Sequence, residues 1–365
     1  MKLKDIIKTL ETFAPPTYQE SYDNAGLITG NKDWEFKGAV LCLDAIEAVI
    51  DEAIGKKCNL VIAHHPIVFV GLKKLTGSNY IERVIIKAIK NDIAIYAIHT
   101  NLDNVASGVN AMICNKLGLK NTRILSPMKN PLKKLITFCP EEAVEEVRQA
   151  LSEAGAGVIG HYSECSYNVK GFGTFKGDEK TNPAVGKKNQ LEKVEEIKLE
   201  MIFPAAVKSK VINALINTHP YEEVAYDIIA LENSDASLGA GMIGDLPEAI
   251  PVELFLKQLK KKMNCKVIRH TEPVKASVKK IALCGGAGSF LLNNAIGKNA
   301  DVFITGDFKY HQFFDADGKI LIADIGHYES EQFTPQLLIE ILGEKFSNFA
   351  LHLSEVNTNP IKYYY

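Results

Sequence analysis

The sequence lacks any cysteine framework. Its seven cysteines, at positions 42, 58, 114, 139, 165, 265 and 284, form no CxxC pair, and their number is odd. Several sit in apolar stretches, such as Leu41-Cys42-Leu43 and Leu283-Cys284. They read as buried small hydrophobes in a reducing compartment, not as a disulfide scaffold or a zinc knuckle. Long hydrophobic runs are also missing. None approaches the ~18 residues of a membrane helix, so no membrane contact is expected. The start, Met1-Lys2-Leu3-Lys4-Asp5-Ile6-Ile7, carries an acid early and has no long apolar region, unlike a signal peptide. A cytoplasmic location is expected. Charge of one sign is lacking as well: 42 basic residues face 44 acidic ones, for a net charge of -2. That balance gives no electrostatic footprint for nucleic acid, which is not expected as a partner. No repeat of solenoid period is found.

What is present is an ordinary globular composition, 46% hydrophobic and 24% charged, over 365 residues. That length is long for one core and points to two or three domains. Helical spacing of Leu3, Ile6, Ile7, Leu10 and Phe13 predicts a helix that Pro15-Pro16 ends. Strands are predicted at 38–43, 60–63 and 93–98, with helices at 45–54, 79–91 and 105–117. This alternation predicts a mainly parallel sheet with helices on its faces. From about residue 128 the style changes. Strands at 133–138, 167–175, 194–203 and 225–231 and helices at 141–154 and 205–216 follow the order β-α-β-β-α-β, a ferredoxin-like unit. Residues 176–192 read as a polar loop. After 235 the α/β style resumes, with strands at 279–284, 301–305 and 320–325 and helices at 252–263, 290–296 and 334–342. The expected organisation is a two-lobed α/β core, 1–127 with 236–365, carrying an inserted domain at 128–235.

Three clusters of histidine and acid stand where apolar runs end. They are Ala63-His64-His65-Pro66, His99-Thr100-Asn101-Leu102-Asp103 and Gly326-His327-Tyr328-Glu329-Ser330-Glu331. In open α/β sheets ligands bind at such strand ends. Imidazole and carboxylate are ligands for zinc, iron or manganese. His64 and His65 are adjacent, so their side chains can diverge toward two ions. Asp103 has two oxygens and is the first choice for a bridge. His327 and Glu331, four apart, share one face of a helical first turn. The set His64, His65, Asp103, His327 and Glu331 serves two ions if a carboxylate bridges and water fills the remaining positions.

Each cluster alone has a plainer reading: loop histidines, an N-cap aspartate before Val105, a helix start favouring acids. It is their occurrence at three strand ends that points to a metal centre. His99 is a ligand or a group orienting Asp103. Asp307 and His311, after Thr305-Gly306, are further acid or base candidates, with a turn aspartate and a surface histidine as the alternative. The Gly285-Gly286-Ala287-Gly288-Ser289 run can cradle a phosphate or make a tight turn; it matches no nucleotide fingerprint. His219-Pro220-Tyr221-Glu222-Glu223 reads as packing or capping.

Together with Tyr22-Asp23-Asn24-Ala25-Gly26-Leu27 and Thr305-Gly306-Asp307, these motifs resemble one family, the dinuclear-metal-centre, NGG-interacting-factor-three-like family. Many of its members carry the name GTP cyclohydrolase 1 type 2 homolog. The likeness covers both outer parts. Its one departure is Tyr22, where the family usually has Trp. The middle part resembles the insertion of longer bacterial members, similar to the PII and CutA folds. The resemblance implies a homohexamer with metal sites facing an internal cavity, and the same five ligands. It implies two divalent ions per subunit and a hydrolase acting on GTP or another nucleotide through a metal-activated water. The alternative is a non-enzymatic hexameric scaffold or regulatory protein with a ligand-sensing insertion.

Overall fold

The computed structural model describes residues 1–129, 131–182, 184–346 and 348–364. By internal contacts the chain divides into two compact units, residues 1–127 with 236–365, and residues 128–235.

The first unit is mixed α/β and holds two sheets. The five-stranded sheet runs Gly26–Thr29, Ala94–Ala97, Leu60–His65, Ala39–Asp44, Leu351–Leu353. Its last four strands are parallel and the first is antiparallel. The strand Leu60–His65 is buried from Leu60 to His64, as expected where both faces of a parallel sheet are covered. Helices Glu47–Gly55 and Tyr80–Lys90 supply Val49, Ile50, Val84 and Ile85, which pack with Val40, Val61 and Ile95. Asn79 caps the second of these helices by accepting from Glu82 N at 2.9 Å. The Glu82 carboxylate in turn accepts from the Thr76 and Ser78 backbone and hydroxyl groups. Those bonds, first of all from Thr76, lower its pKa to about 2 and close the loop that leads away from His65.

The six-stranded sheet runs Arg269–His270, Leu321–Asp324, Val302–Gly306, Ser277–Ala287, Gly239–Pro251, Lys120–Pro127. Only its three inner strands, 277–287, 302–306 and 321–324, are parallel. The expected mainly parallel sheet is therefore two mixed sheets with parallel centres. Phe303, Ile243, Ala282 and Ile322 form the core on one side.

Five strands escaped the sequence reading: 26–29, 120–127, 239–251, 269–270 and 351–353. The longest, Gly239–Pro251, is rich in glycine and ends in proline, which reads as loop. Gly239 and Gly241 have φ of +144° and +63°, and the strand is irregular in register. The helix expected at 105–117 starts only at Val109. A separate short helix, Thr100–Asp103, precedes it, and Gly108 lies so close to Leu102 O that a Cβ there would clash.

In the second unit the order is Leu132–Cys139, Val144–Glu153, Tyr167–Phe175, Glu192–Pro204, Lys208–Thr218, Tyr226–Ala230. The four strands make one antiparallel sheet in the order 167–175, 192–204, 132–139, 226–230. Alternation places Leu135, Leu199, Met201 and Phe203 against Val147, Leu151, Val211 and Leu215 of the two helices. His219 is buried behind the second helix. Its Nε2 donates to Phe138 O at 3.0 Å and its Nδ1 accepts from Tyr221 N, a packing role.

Phe203 is fully buried in that small core. Phe203→Ala should cost about 3–5 kcal/mol. Tyr162→Ala, at a 75% exposed position, should stay within about 0.5 kcal/mol. Urea denaturation of the two variants beside the parent checks the contrast.

Candidate metal centre

The parallel strands of both sheets in the first unit end around one cavity of about 910 Å³. His64 and His65 are the last two residues of strand Leu60–His65. Asp103 closes the short helix Thr100–Asp103, and His327 and Glu331 are the first and last residues of helix His327–Glu331. All five expected residues meet here. Their ligand atoms form overlapping groups within 4.8 Å: His65, His327 and Glu331; His64, Asp103 and Glu331; His64, His65 and His99.

Glu331 is common to two of these groups. It is 3% exposed on its side chain. Its Oε2 lies 3.0 Å from His65 Nε2 and 3.1 Å from His327 Nε2. Its Oε1 turns the other way, 3.8 Å from His64 Nε2. Each oxygen thus faces its own cluster. Glycine makes room for this carboxylate. Gly286 has φ +63°, and a Cβ there would stand 2.5 Å from Glu331 Oε1. Ser330 Oγ accepts from Gly286 N at 2.9 Å and donates to His327 O at 2.7 Å, tying the glycine turn to the helix.

Every imidazole is aimed by its Nδ1. His64 Nδ1 donates to Ile98 O, 2.8 Å; His65 Nδ1 meets Asp44 Oδ1, 2.8 Å; His327 Nδ1 meets Asp307 Oδ2, 2.8 Å; His99 Nδ1 meets Asp23 Oδ1, 2.8 Å. The orienting acids are themselves held. Asp44 Oδ2 accepts from Thr358 Oγ1, and Asp23 Oδ2 accepts from Thr100 N and Thr100 Oγ1. Such outer bonds fix the tautomer and leave Nε2 for a metal. For His64 the consequence is sharp. With Nδ1 protonated toward a carbonyl, neutral His64 presents a bare Nε2 lone pair. That atom is buried without a hydrogen-bond partner, and so is Asp103 Oδ1, 3.7 Å away. Two buried acceptors facing each other require a proton or a cation between them. The donor set and these two orphaned atoms fit divalent metal.

Electrostatics point the same way. Burial opposes charge on Glu331, but its bonds with His327 and His65 outweigh it and hold its pKa low. Burial and the charge of Glu331 push Asp103 up. Burial pulls His65 and His327 down, yet their bonds to Asp44, Asp307 and Glu331 raise them to about 9 and about 11. For Asp23, burial is outweighed by His99 and Thr100, which bring it to about 2.

Sequence reasoning missed Asp44, gave no role to Asp23, and read Gly286 only as part of a phosphate cradle or tight turn. Asp44 ends the strand next to Leu60–His65 and pairs in register with His65, so an acid at a strand end was the available signal. Asp307 lies beside His327 as an orienting group. His311 is exposed, packed with the rings of Tyr310 and Phe314, and does not line the cavity. The phosphate-cradle reading of residues 285–289 fails. The N–H groups of Gly285, Gly286 and Gly288 already donate to Asn110, Ser330 and Thr305.

Known proteins share this architecture. The model of the family Duf34/NIF3 (NGG1p interacting factor 3) matches residues 1–360. A Bacillus subtilis protein named GTP cyclohydrolase 1 type 2 homolog is 39% identical over 99% of this chain and 98% of its own. A relative of the same name from Halalkalibacterium halodurans is 40% identical over 98% of both chains. The crystal structure of a Bacillus cereus protein related to NIF3 superposes with TM-score 0.84 at 38% identity, covering 100% of this chain and 99% of that one. Staphylococcus aureus protein SA1388 does so with TM-score 0.78 at 31% identity, over 100% and 99%.

The metal-free cluster makes stability depend on pH. His65 and His327 have folded pKa values raised from the ordinary 6.5. Their stabilising contribution is therefore complete below 6.5 and is lost as pH rises through about 9 toward 11. Chelator-treated protein should unfold at progressively lower urea from about pH 6.5 upward. His327→Gln should flatten that decline; an identical decline in the variant would contradict the assignment.

Proposed function

The chain belongs to the Duf34/NIF3 family, and on that footing we propose that it is a two-metal protein acting as a hydrolase on a nucleotide such as GTP. The observation carrying this reading is the facing pair of orphaned acceptors, His64 Nε2 and Asp103 Oδ1, beside a carboxylate whose two oxygens face different imidazoles. His65, His327 and Glu331 Oε2 would hold one divalent ion. His64, Asp103 and Glu331 Oε1 would hold the other. Nitrogen and oxygen ligands in this mixture suit zinc, iron or manganese. Divalent ions in such a site supply Lewis-acid polarisation of the substrate and a water of lowered pKa.

The remaining roles fall to the chain's own groups. Asp44, Asp307 and the Ile98 carbonyl orient the three imidazoles. His99 has its Nδ1 committed to Asp23, so its Nε2 is free to take or give a proton to a molecule in the cavity. Tyr22, Phe69, Tyr80 and Phe290 line the walls and give a flat ring an apolar surface. No lysine or arginine occurs among the described lining residues, so the phosphates of a nucleotide would find their counter-charge on the ions.

For the second unit we propose a ferredoxin-like domain of the PII/CutA kind, inserted at 128–235 into the metal core of 1–127 and 236–365. Its β-α-β-β-α-β order and antiparallel strand order favour this. A homohexamer is the assembly the resemblance implies.

Metal analysis of protein purified without chelator should return two ions per chain. Glu331→Gln should lose both, being common to the two clusters, and His64→Gln one. Asp44→Asn should weaken affinity about 10–100-fold with no ligand removed. Loaded protein should open the guanine ring of GTP or release phosphate from it, above the Glu331→Gln background. Binding of GTP should disappear on chelation. Two ions bound with neither reaction above background would leave the metal centre standing and refute this substrate.

A further inference from the structure

The second unit contains a cavity of its own, about 670 Å³, within the range of small-molecule sites. It opens on the face of the sheet that the helices leave bare. Register puts Val169 opposite Lys198, Gly171 opposite Glu196, and Phe138 opposite Lys198, all on that face. Phe138, Val169 and Phe175 make the walls. Gly171 and Gly173 line it without side chains. One carboxylate stands among them. Glu196 Oε1 accepts from Tyr221 OH at 2.9 Å. Its Oε2 occupies the space above Gly173, where a Cβ would stand 2.2 Å away. The glycine is thus what lets the acid lie over the sheet.

Charge in this cavity is unbalanced toward the negative. Glu196, Glu222 and Glu223 line it, and no lysine or arginine pairs with any of them among the described residues. Lys198 and Lys134 share Glu200, at 2.5 and 2.9 Å, and Lys176 also lines the cavity. An aromatic wall with a fixed carboxylate is complementary to an organic cation. The ring faces attract the cation's charge and the acid takes its N–H groups.

We propose that the inserted unit binds a small organic amine, protonated, with a flat apolar body. The ammonium sits against Glu196 Oε2 and the body lies between Phe138, Val169 and Phe175. Tyr221 is a positioning residue, holding the other oxygen of Glu196. This goes beyond the metal-centre reading and is independent of it.

Titration calorimetry of the full chain with three indoles of one shape tests the charge directly. Tryptamine is cationic, tryptophol neutral and indole-3-acetate anionic. Tryptamine should bind at least about tenfold more tightly than tryptophol, the worth of one charge-assisted hydrogen bond. Indole-3-acetate should bind most weakly. Glu196→Gln keeps an acceptor for Tyr221 OH and should erase the preference for tryptamine. Phe175→Ala should weaken tryptamine and tryptophol alike. Neither variant should change the metal content. Equal affinities, a preference that survives Glu196→Gln, or no saturable heat with tryptamine would each overturn the proposal.

Discussion

One buried carboxylate, Glu331, organises the first unit. It is nearly inaccessible, and an isolated charge there would be prohibitively costly. It survives because His65 and His327 bond its Oε2, while its Oε1 faces His64 on the other side. Much of the surrounding architecture serves that arrangement. The helix His327–Glu331 brings His327 and Glu331 together at one turn. Gly286 gives up a side chain so that Oε1 has room. The parallel strands of both sheets deliver His65 and the glycine turn from opposite sides. A sheet edge alone offers a row of loose ends; the buried acid turns those ends into one site.

Pre-organisation extends one layer outward. Four imidazoles make up the cluster, and each is pinned by Nδ1 to a carbonyl or an acid. A pinned ring loses little rotational freedom on binding, so less of the interaction energy is spent on ordering. The pins come from four different places in the chain: Ile98, Asp44, Asp23 and Asp307. Thr358 and Thr100 add further bonds to two of them. Long-range contacts of this kind make the site a property of the whole unit, not of any single loop.

That distribution explains what was legible in the sequence. His64, His65, Asp103, His327 and Glu331 stood out because ligand chemistry followed apolar strands, a local signal. Their convergence followed from a rule about strand ends. Asp44 did not stand out. Its role depends on lying beside His65 in a parallel pair, and register between strands is not written in local spacing. Gly286 was noticed within a glycine run, but its function is a steric relation to Glu331, 45 positions later. The sheets themselves were half legible. Their apolar parallel centres announced themselves; the antiparallel strand Gly239–Pro251 did not, because its glycines serve close packing that only the fold reveals. The order of elements in 128–235 was legible from alternation, clearest in Glu192–Pro204, where Leu199, Met201 and Phe203 form one buried face.

Charge balance ties the site's two states together. Five carboxylates, Asp23, Asp44, Asp103, Asp307 and Glu331, lie within 4.0 Å of the four imidazoles. With neutral imidazoles the group carries five negative charges in partly desolvated surroundings. Two routes relieve it. Protons can bind, which is why His65 and His327 hold theirs far above the ordinary range and why Asp103 is pushed up. The two divalent ions proposed above would instead cancel four of the five charges and displace those protons. Protons and ions compete for the same lone pairs. The orphaned atoms favour ions: a single proton between His64 Nε2 and Asp103 Oδ1 must span 3.7 Å, too long for a hydrogen bond. A cation of ordinary coordination distance reaches both.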